Sequence, residues 1–164
     1  MRTRLSILAL VVLVSTSAWA GDANVAYCTG ESPADILDFY AQAINNRDLA
    51  AMHGVYAESF VHVPGGSNNA EPWGRDFEIE SAARLFEAPP IESQQLVFSG
   101  YYTIEPGHEA DTWTIDGLTM TMTTTFKDKD KAPLASADTG HRLTVRRFAE
   151  PVDHFALVKW EAPN

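Results

Sequence analysis

Three side chains carry chemistry that an apolar surrounding would make useful: Tyr40, His62 and His141. Tyr40 falls on the apolar stripe of Ile36, Tyr40 and Ala43, widened by Leu37 and Ile44, so its hydroxyl is aimed at a core and needs a hydrogen-bond partner there. An imidazole titrates near neutral pH, which makes His62 and His141 candidate general bases or acids. His141 opens an alternation with Leu143 and Val145 that sends all three to one face. His62 depends on register, because a slip of one residue turns it outward and brings Val61 and Val63 in. If the three converge, they form a neutral hydrogen-bonding cluster suited to a ligand carbonyl or hydroxyl, with one histidine moving a proton. Alternatively, Tyr40 is a structural tyrosine and the histidines are packed and hydrogen-bonded. His53, His108 and His154 fall on a helix, a turn and a strand start. No H-E-x-x-H or H-x-H spacing, glycine-rich phosphate loop or G-x-S-x-G elbow is present, so the sequence implies no metal ligands and no cofactor.

The elements that must position these groups begin at Ser32, where an N-cap residue, Pro33 and the acidic Asp35 together start a helix. Asn45, Asn46 and Arg47 break it, and Asp48 caps a second helix whose stripe is Leu49, Met52, Val55 and Tyr56. Phe60 to Val63 reads as a strand ended by Pro64, Gly65 and Gly66. The following loop holds Trp73, either a plug for the underlying core or a ligand contact. Asp76 can cap a third helix carrying Phe77, Ile79, Ala82, Ala83, Leu85 and Phe86, which Pro89 and Pro90 terminate.

The second half is β. Leu96 to Ile104 reads as one strand, with the next turn begun by Pro106 and Gly107. From Leu118 to Phe126, Leu118, Met120, Met122, Thr124 and Phe126 face one way and four threonines the other. Lys127 to Lys131 is a charged hairpin tip, and Gly140 to Phe148 and Phe155 to Trp160 are two further strands joined at Glu150 and Pro151. Helices followed by strands predict an α+β domain, with three helices packed on one face of a curved antiparallel sheet.

The first 20 residues follow the plan of a bacterial secretory signal: Arg2 and Arg4, an apolar run from Leu5 to Val14, then Ala18-Trp19-Ala20 before the cleavage point. The apolar run is short of the roughly 20 residues that span a bilayer, so the expectation is a periplasmic or secreted protein with no membrane association after cleavage. Residues 21 to 31 form a polar lead and residues 32 to 164 the domain. Tyr27 stands where a lipoprotein signal wants a small residue before Cys28. Cys28, the sole cysteine, offers no intrachain disulfide and is either idle or pairs between chains. The formal net charge is −10, and removing Arg2 and Arg4 deepens it; nucleic acid is an unsuitable partner.

The runs Asp35-Ile36-Leu37-Asp38-Phe39-Tyr40, Ala43-Ile44-Asn45-Asn46-Arg47-Asp48-Leu49 and Tyr56-Ala57-Glu58-Ser59-Phe60-Val61-His62-Val63-Pro64 resemble the opening of nuclear transport factor 2-like domains, among them SnoaL-like proteins and ketosteroid isomerases. Gly140 to Arg147 and the last strand are similar to the closing hairpin of SnoaL-like domains, although Ala149 to Asp153 replaces a tight glycine turn. The resemblance implies a cone with a pocket between helices and concave sheet face. It implies metal-free acid–base chemistry of the isomerase, cyclase or hydratase type, with Tyr40 matching the isomerase tyrosine that donates to an oxyanion. The family aspartate before the strand-ending proline is replaced by Val63, and the acid on the penultimate strand by Gly140 and His141. Two functions follow. One is a pocket for a small apolar molecule, lined by Tyr56, Trp73, Met120, Met122 and Leu143 beside the three polar groups. The other is an interaction module with a filled cone, forming a homodimer through its threonine-rich outer sheet face.

Overall fold

The start signals at Ser32 close a turn, but the helix begins later than they predict: Ala34, not Ser32, is the N-cap, it makes no side-chain cap hydrogen bond, and Pro33 lies ahead of the first helical residue. Ser32 Oγ accepts from the Ala34 N–H at 3.2 Å, and the Asp35 carboxylate accepts from the Ser32 N–H at 2.9 Å, so the turn ahead of helix α1 (Asp35–Asn45) closes on its own side chains. The computed structural model describes residues 25–66 and 70–163; the signal segment and its cleavage point lie outside these residues. Helix α1 buries Ile36, Leu37, Tyr40, Ala43 and Ile44 along one face. Arg47 ends it in the left-handed region, φ 54°, and Asp48 then caps helix α2 (Leu49–Val55) by accepting from the Ala51 N–H at 3.0 Å. The Asn45-Asn46-Arg47 break also clips the layers together. The Asn45 side-chain amide exchanges two hydrogen bonds with the Leu96 backbone, while the Arg47 guanidinium donates to the carbonyls of Phe86 and Ile91.

Tyr56 is not the end of the second helix but the first residue of strand β1 (Tyr56–Val63). The strand starts four residues before the expected Phe60 because a bulge between Tyr56 and Val61 disrupts its alternation, which hides it in the sequence. After a loop come the short strand β2 (Trp73–Gly74) and helix α3 (Arg75–Glu87), whose N-cap is Gly74 and not Asp76. The remaining strands are β3 (Ile91–Ser99), β4 (Thr103–Pro106), β5 (Thr112–Phe126), β6 (Leu134–Phe148) and β7 (His154–Glu161). The expected single strand from Leu96 to Ile104 is therefore two, divided at Gly100, where φ is +90°.

The seven strands form one curved sheet in the order β2-β1-β7-β6-β5-β3, with β4 pairing β5 beside it. Five pairings are antiparallel and one, β1 with β7, is parallel. Helices α1 and α2 precede the first strand and α3 follows β2; α1 lies across β3 and β7. Between them, Ile36, Phe60, Leu96, Ile115, Leu118, Leu143, Val145 and Leu157 make the core.

Two glycine bulges correct the alternation in the long central strands. Ile115 and Leu118 are both fully buried although three residues apart, which a regular strand forbids; Gly117, at φ +88°, takes up the extra residue. Opposite it, Gly140 at φ +99° is skipped in the pairing, so Leu118 faces His141 while Thr119 faces Thr139. The lead is built into the domain over its described part. Cys28 forms a bridge with Phe155, whose N–H donates to the Cys28 carbonyl at 2.9 Å, and its thiol is buried and pushed up in pKa by desolvation. A thiol in that setting is a poor nucleophile and is shielded from a second chain.

Candidate functional site

Strand register places a row of side chains across the concave face. His62 on β1 is opposite Trp73 on β2 and opposite Trp160 on β7, and Trp160 is in turn opposite Leu143 on β6, which is opposite Ile115 on β5. Directly opposed residues share a face, so all five point to the side that carries the helices. The two indoles stack on the His62 imidazole with ring centroids 4.3 Å and 5.3 Å away and planes within 21° and 19°. At the edge of this stack, Oε1 of Glu78, in the first turns of α3, accepts from Trp73 Nε1 at 2.6 Å and lies 2.8 Å from His62 Nδ1. A carboxylate so placed holds the proton on Nδ1 and leaves Nε2 as the basic nitrogen of the neutral ring.

His141 sits on the same face, brought there by the Gly140 bulge. Trp160 Nε1 donates to His141 Nδ1 at 3.1 Å, the reverse of the hydrogen bond at His62, so the neutral ring carries its proton on Nε2. That Nε2 is buried with no hydrogen-bond partner among the described residues, and the nearest carboxylate, that of the exposed Asp138, is 3.9 Å away. Desolvation is the main reason that the His141 pKa is lowered; Asp138 opposes it and His62 adds to it.

Tyr40 reaches the same hub from the helix side. Its ring meets Trp160 edge-on at 5.8 Å and also packs on Tyr56 and Phe98 at 5.8 Å each, and its hydroxyl accepts from the Tyr56 hydroxyl at 3.0 Å. Burial drives both phenol pKa values up, Tyr56 well above its ordinary value, so both hydroxyls act as neutral donors and not as bases.

Tyr40, His62 and His141 thus gather around Trp160, each bonded to a different partner and none to another of the three. Of the apolar candidates, Trp73 stacks on His62, and Met120 and Met122 are half-buried on the inner face opposite Phe98 and Leu96. Leu143 is fully buried beneath Trp160 and Tyr56 is buried behind Tyr40, so both support the wall from behind. Among the described residues, no group of three or more His, Cys, Asp or Glu side chains could hold a metal ion.

The sequence alone did not single out Glu78 or Trp160. A carboxylate near a helix start is ordinarily read as a complement to the helix dipole, and only the fold shows that Glu78 faces β1 and β2. Trp160 was visible as the end of the last strand; its role as hub follows from the parallel pairing of β1 with β7, which has no local signal.

The concave arrangement of a helix pair, a short hairpin and a wrapped sheet has close counterparts among solved structures. A nuclear transport factor 2-like protein from Cytophaga hutchinsonii superposes with a TM-score of 0.56 at 13% identity, covering 79% of this chain and 92% of that one. The fold is nuclear transport factor 2-like. ActVI-ORFA from Streptomyces coelicolor superposes with a TM-score of 0.58 at 17% identity over 77% of this chain and 91% of its own. A conserved protein from Planctomyces limnophilus gives a TM-score of 0.62 at 9% identity over 78% and 89%. No family model and no curated protein sequence matches the chain.

Proposed function

We propose that the concave end of this nuclear transport factor 2-like domain binds a small, largely apolar molecule carrying a carbonyl or hydroxyl, and that His62 exchanges a proton with it. The observation that carries this is the His62 ring clamped between two indoles and bonded through Nδ1 to Glu78. A histidine needed only for packing gains little from a dedicated carboxylate, whereas a proton-transfer histidine needs a fixed tautomer and orientation. Met120, Met122, Trp73 and Phe98 supply the apolar surface, and the orphan His141 Nε2–H is a donor awaiting an oxygen acceptor. The chemistry is of the isomerase, cyclase or hydratase type. His62 with Glu78 takes the part of the aspartate that Val63 displaces.

A second reading rests on how fully Tyr40, Tyr56, Phe98 and Trp160 pack the interior. With a filled cone, the domain would serve as a homodimerisation module through its outer face, where Thr119 and Thr139 meet at 3.0 Å and Val97 is exposed. In either case the export signal of the first 20 residues sends the domain to the periplasm or beyond. Native mass spectrometry of the purified protein separates the two: a small molecule released from wild type but not from Trp160→Ala supports ligand binding. A ligand-free dimer in both forms supports the module.

A further inference from the structure

At the end of β1 opposite His62 lies a cavity of about 370 Å³, walled by the end of α2, the start of α3, the β1 bulge and the β6–β7 turn. Of the residues described above for the His62, Trp160 and His141 cluster and its support, it shares only Tyr56, which lies behind Tyr40. Arg75, the first residue of α3, lines it. The guanidinium is held rigidly by two carbonyls: Nε donates to the Tyr56 carbonyl and Nη2 to the His53 carbonyl, both at 3.1 Å. The second bond satisfies a carbonyl in the last turn of α2, which would otherwise lack an acceptor's partner. That structural duty uses Nε and Nη2 alone. Nη1 donates to no described residue, and no carboxylate among the described residues pairs with Arg75, in a chain whose net charge is −10.

The geometry points to a second binding site here, one that takes a small monocarboxylate with an apolar body. The anchored guanidinium offers Nη1 to a carboxylate oxygen, and immobilising it beforehand removes much of the ordering cost of binding. The body of the ligand meets Phe148, Ala57 and Ala156. His154 stiffens this wall: its Nδ1 donates to the Val152 carbonyl at 2.7 Å, and its ring is stacked on Phe148 at 5.3 Å with Tyr27 on another side at 4.6 Å. The exposed carboxylates of Glu58 and Glu150 in the same lining repel dianions such as phosphate, so a single negative charge is preferred. The volume stands at the low end of the roughly 300–1,000 Å³ typical of small-molecule sites, which limits the ligand to a few carbons beyond its carboxylate or one ring.

The test uses phenylacetate and its neutral isostere phenylacetamide, titrated into the purified protein and followed by backbone amide resonances. Phenylacetate should bind with a Kd of about 10 mM or tighter and at least about tenfold more tightly than the amide, shifting Ser59 and Ala156 and leaving Trp160 in place. Arg75→Gln should erase the preference for the acid. Because that variant also loses its carbonyl contacts, Ser59→Phe provides an independent check: the exposed Ser59 lines the cavity, and a ring there should fill it and abolish binding with an unchanged circular dichroism spectrum. Equal binding of acid and amide, shifts confined to Trp160 and His62, undiminished binding to Ser59→Phe, or no binding of phenylacetate at about 10 mM would each overturn the proposal. Shifts confined to Trp160 and His62 would place the acid at the His62 site instead; none of the other outcomes bears on that site.

Discussion

Replacing Glu78 by alanine removes a single acceptor that serves two elements at once. Its Oε1 takes the Trp73 indole N–H at 2.6 Å and the His62 Nδ1–H at 2.8 Å, so the substitution orphans one donor on β2 and one on β1. Hydrogen bonds to a charged acceptor contribute roughly 1.5–3 kcal/mol each, for an upper bound of about 6 kcal/mol. The His62 and Glu78 side chains retain 14% and 17% of their exposure, so water can replace part of what is lost and the sum must be discounted. An expected loss of about 2–3 kcal/mol remains, with a further few tenths from removing a negative charge near the α3 N-terminus. Urea denaturation monitored by tryptophan fluorescence reads this as a lower midpoint at unchanged slope. Glu78→Gln keeps an oxygen acceptor in place and should lose only about 1 kcal/mol. If both variants stay within about 0.5 kcal/mol of wild type, Glu78 does not hold the stack together and the case for an oriented His62 fails.

Two other outcomes follow from the same geometry, and a third from the sequence. Leu143→Ala, at a fully buried position, should cost about 3–5 kcal/mol in urea unfolding, while Met122→Ala, half-buried at the edge of the core, should cost about 1–2 kcal/mol; equal losses would mean that Met122 is as enclosed as Leu143. Protonation of His141 is disfavoured in the folded state, so as pH falls through about 6.5 the unfolded chain takes up a proton before the native one does. Stability should therefore decline on the acid side of pH 6.5 and be independent of His141 above it, and His141→Gln should lose that component of the pH profile. Intact-mass analysis of protein recovered from the periplasm or medium should begin at Gly21, and a retained Met1 or a lipid on Cys28 would overturn the export assignment.

Local chemistry makes some of this legible in the sequence alone. The Ser32 turn, the Asp48 cap and the apolar stripe of α1 are specified by residues within four positions of one another; the cap and the stripe form as the spacing predicts, whereas the Ser32 signals place the helix start two residues early. The strand ends were obscured for a different reason. Bulges at Gly117 and Gly140 and between Tyr56 and Val61 each shift the phase of an alternation, and a shifted phase reads as a shorter strand. The first part of β6, Leu134 to Thr139, is exposed throughout, so it lacks the buried positions that mark a strand.

For the site, side-chain direction was partly readable. Tyr40 follows from helix periodicity and His141 from the alternation with Leu143, whereas the inward aim of His62 required the register of β1 against both β2 and β7. Glu78 and Trp160 meet His62 only through pairings distant in sequence. Glu78 is 16 residues from its histidine, and no periodic pattern joins the two.

The most direct test of the His62 site is the set of indole N–H resonances during titration with 2-naphthol, an apolar molecule with one hydroxyl. Trp73 and Trp160 donate to Glu78 and His141 inside the site, while Trp113 packs on Phe155 away from it. A ligand entering the concave end should shift the Trp73 and Trp160 signals together, leave Trp113 unmoved, and lose affinity about tenfold or more in His62→Phe. Saturable binding that shifts Trp113 alone, or no shift of Trp73 and Trp160 at any accessible concentration, would contradict a ligand site at His62.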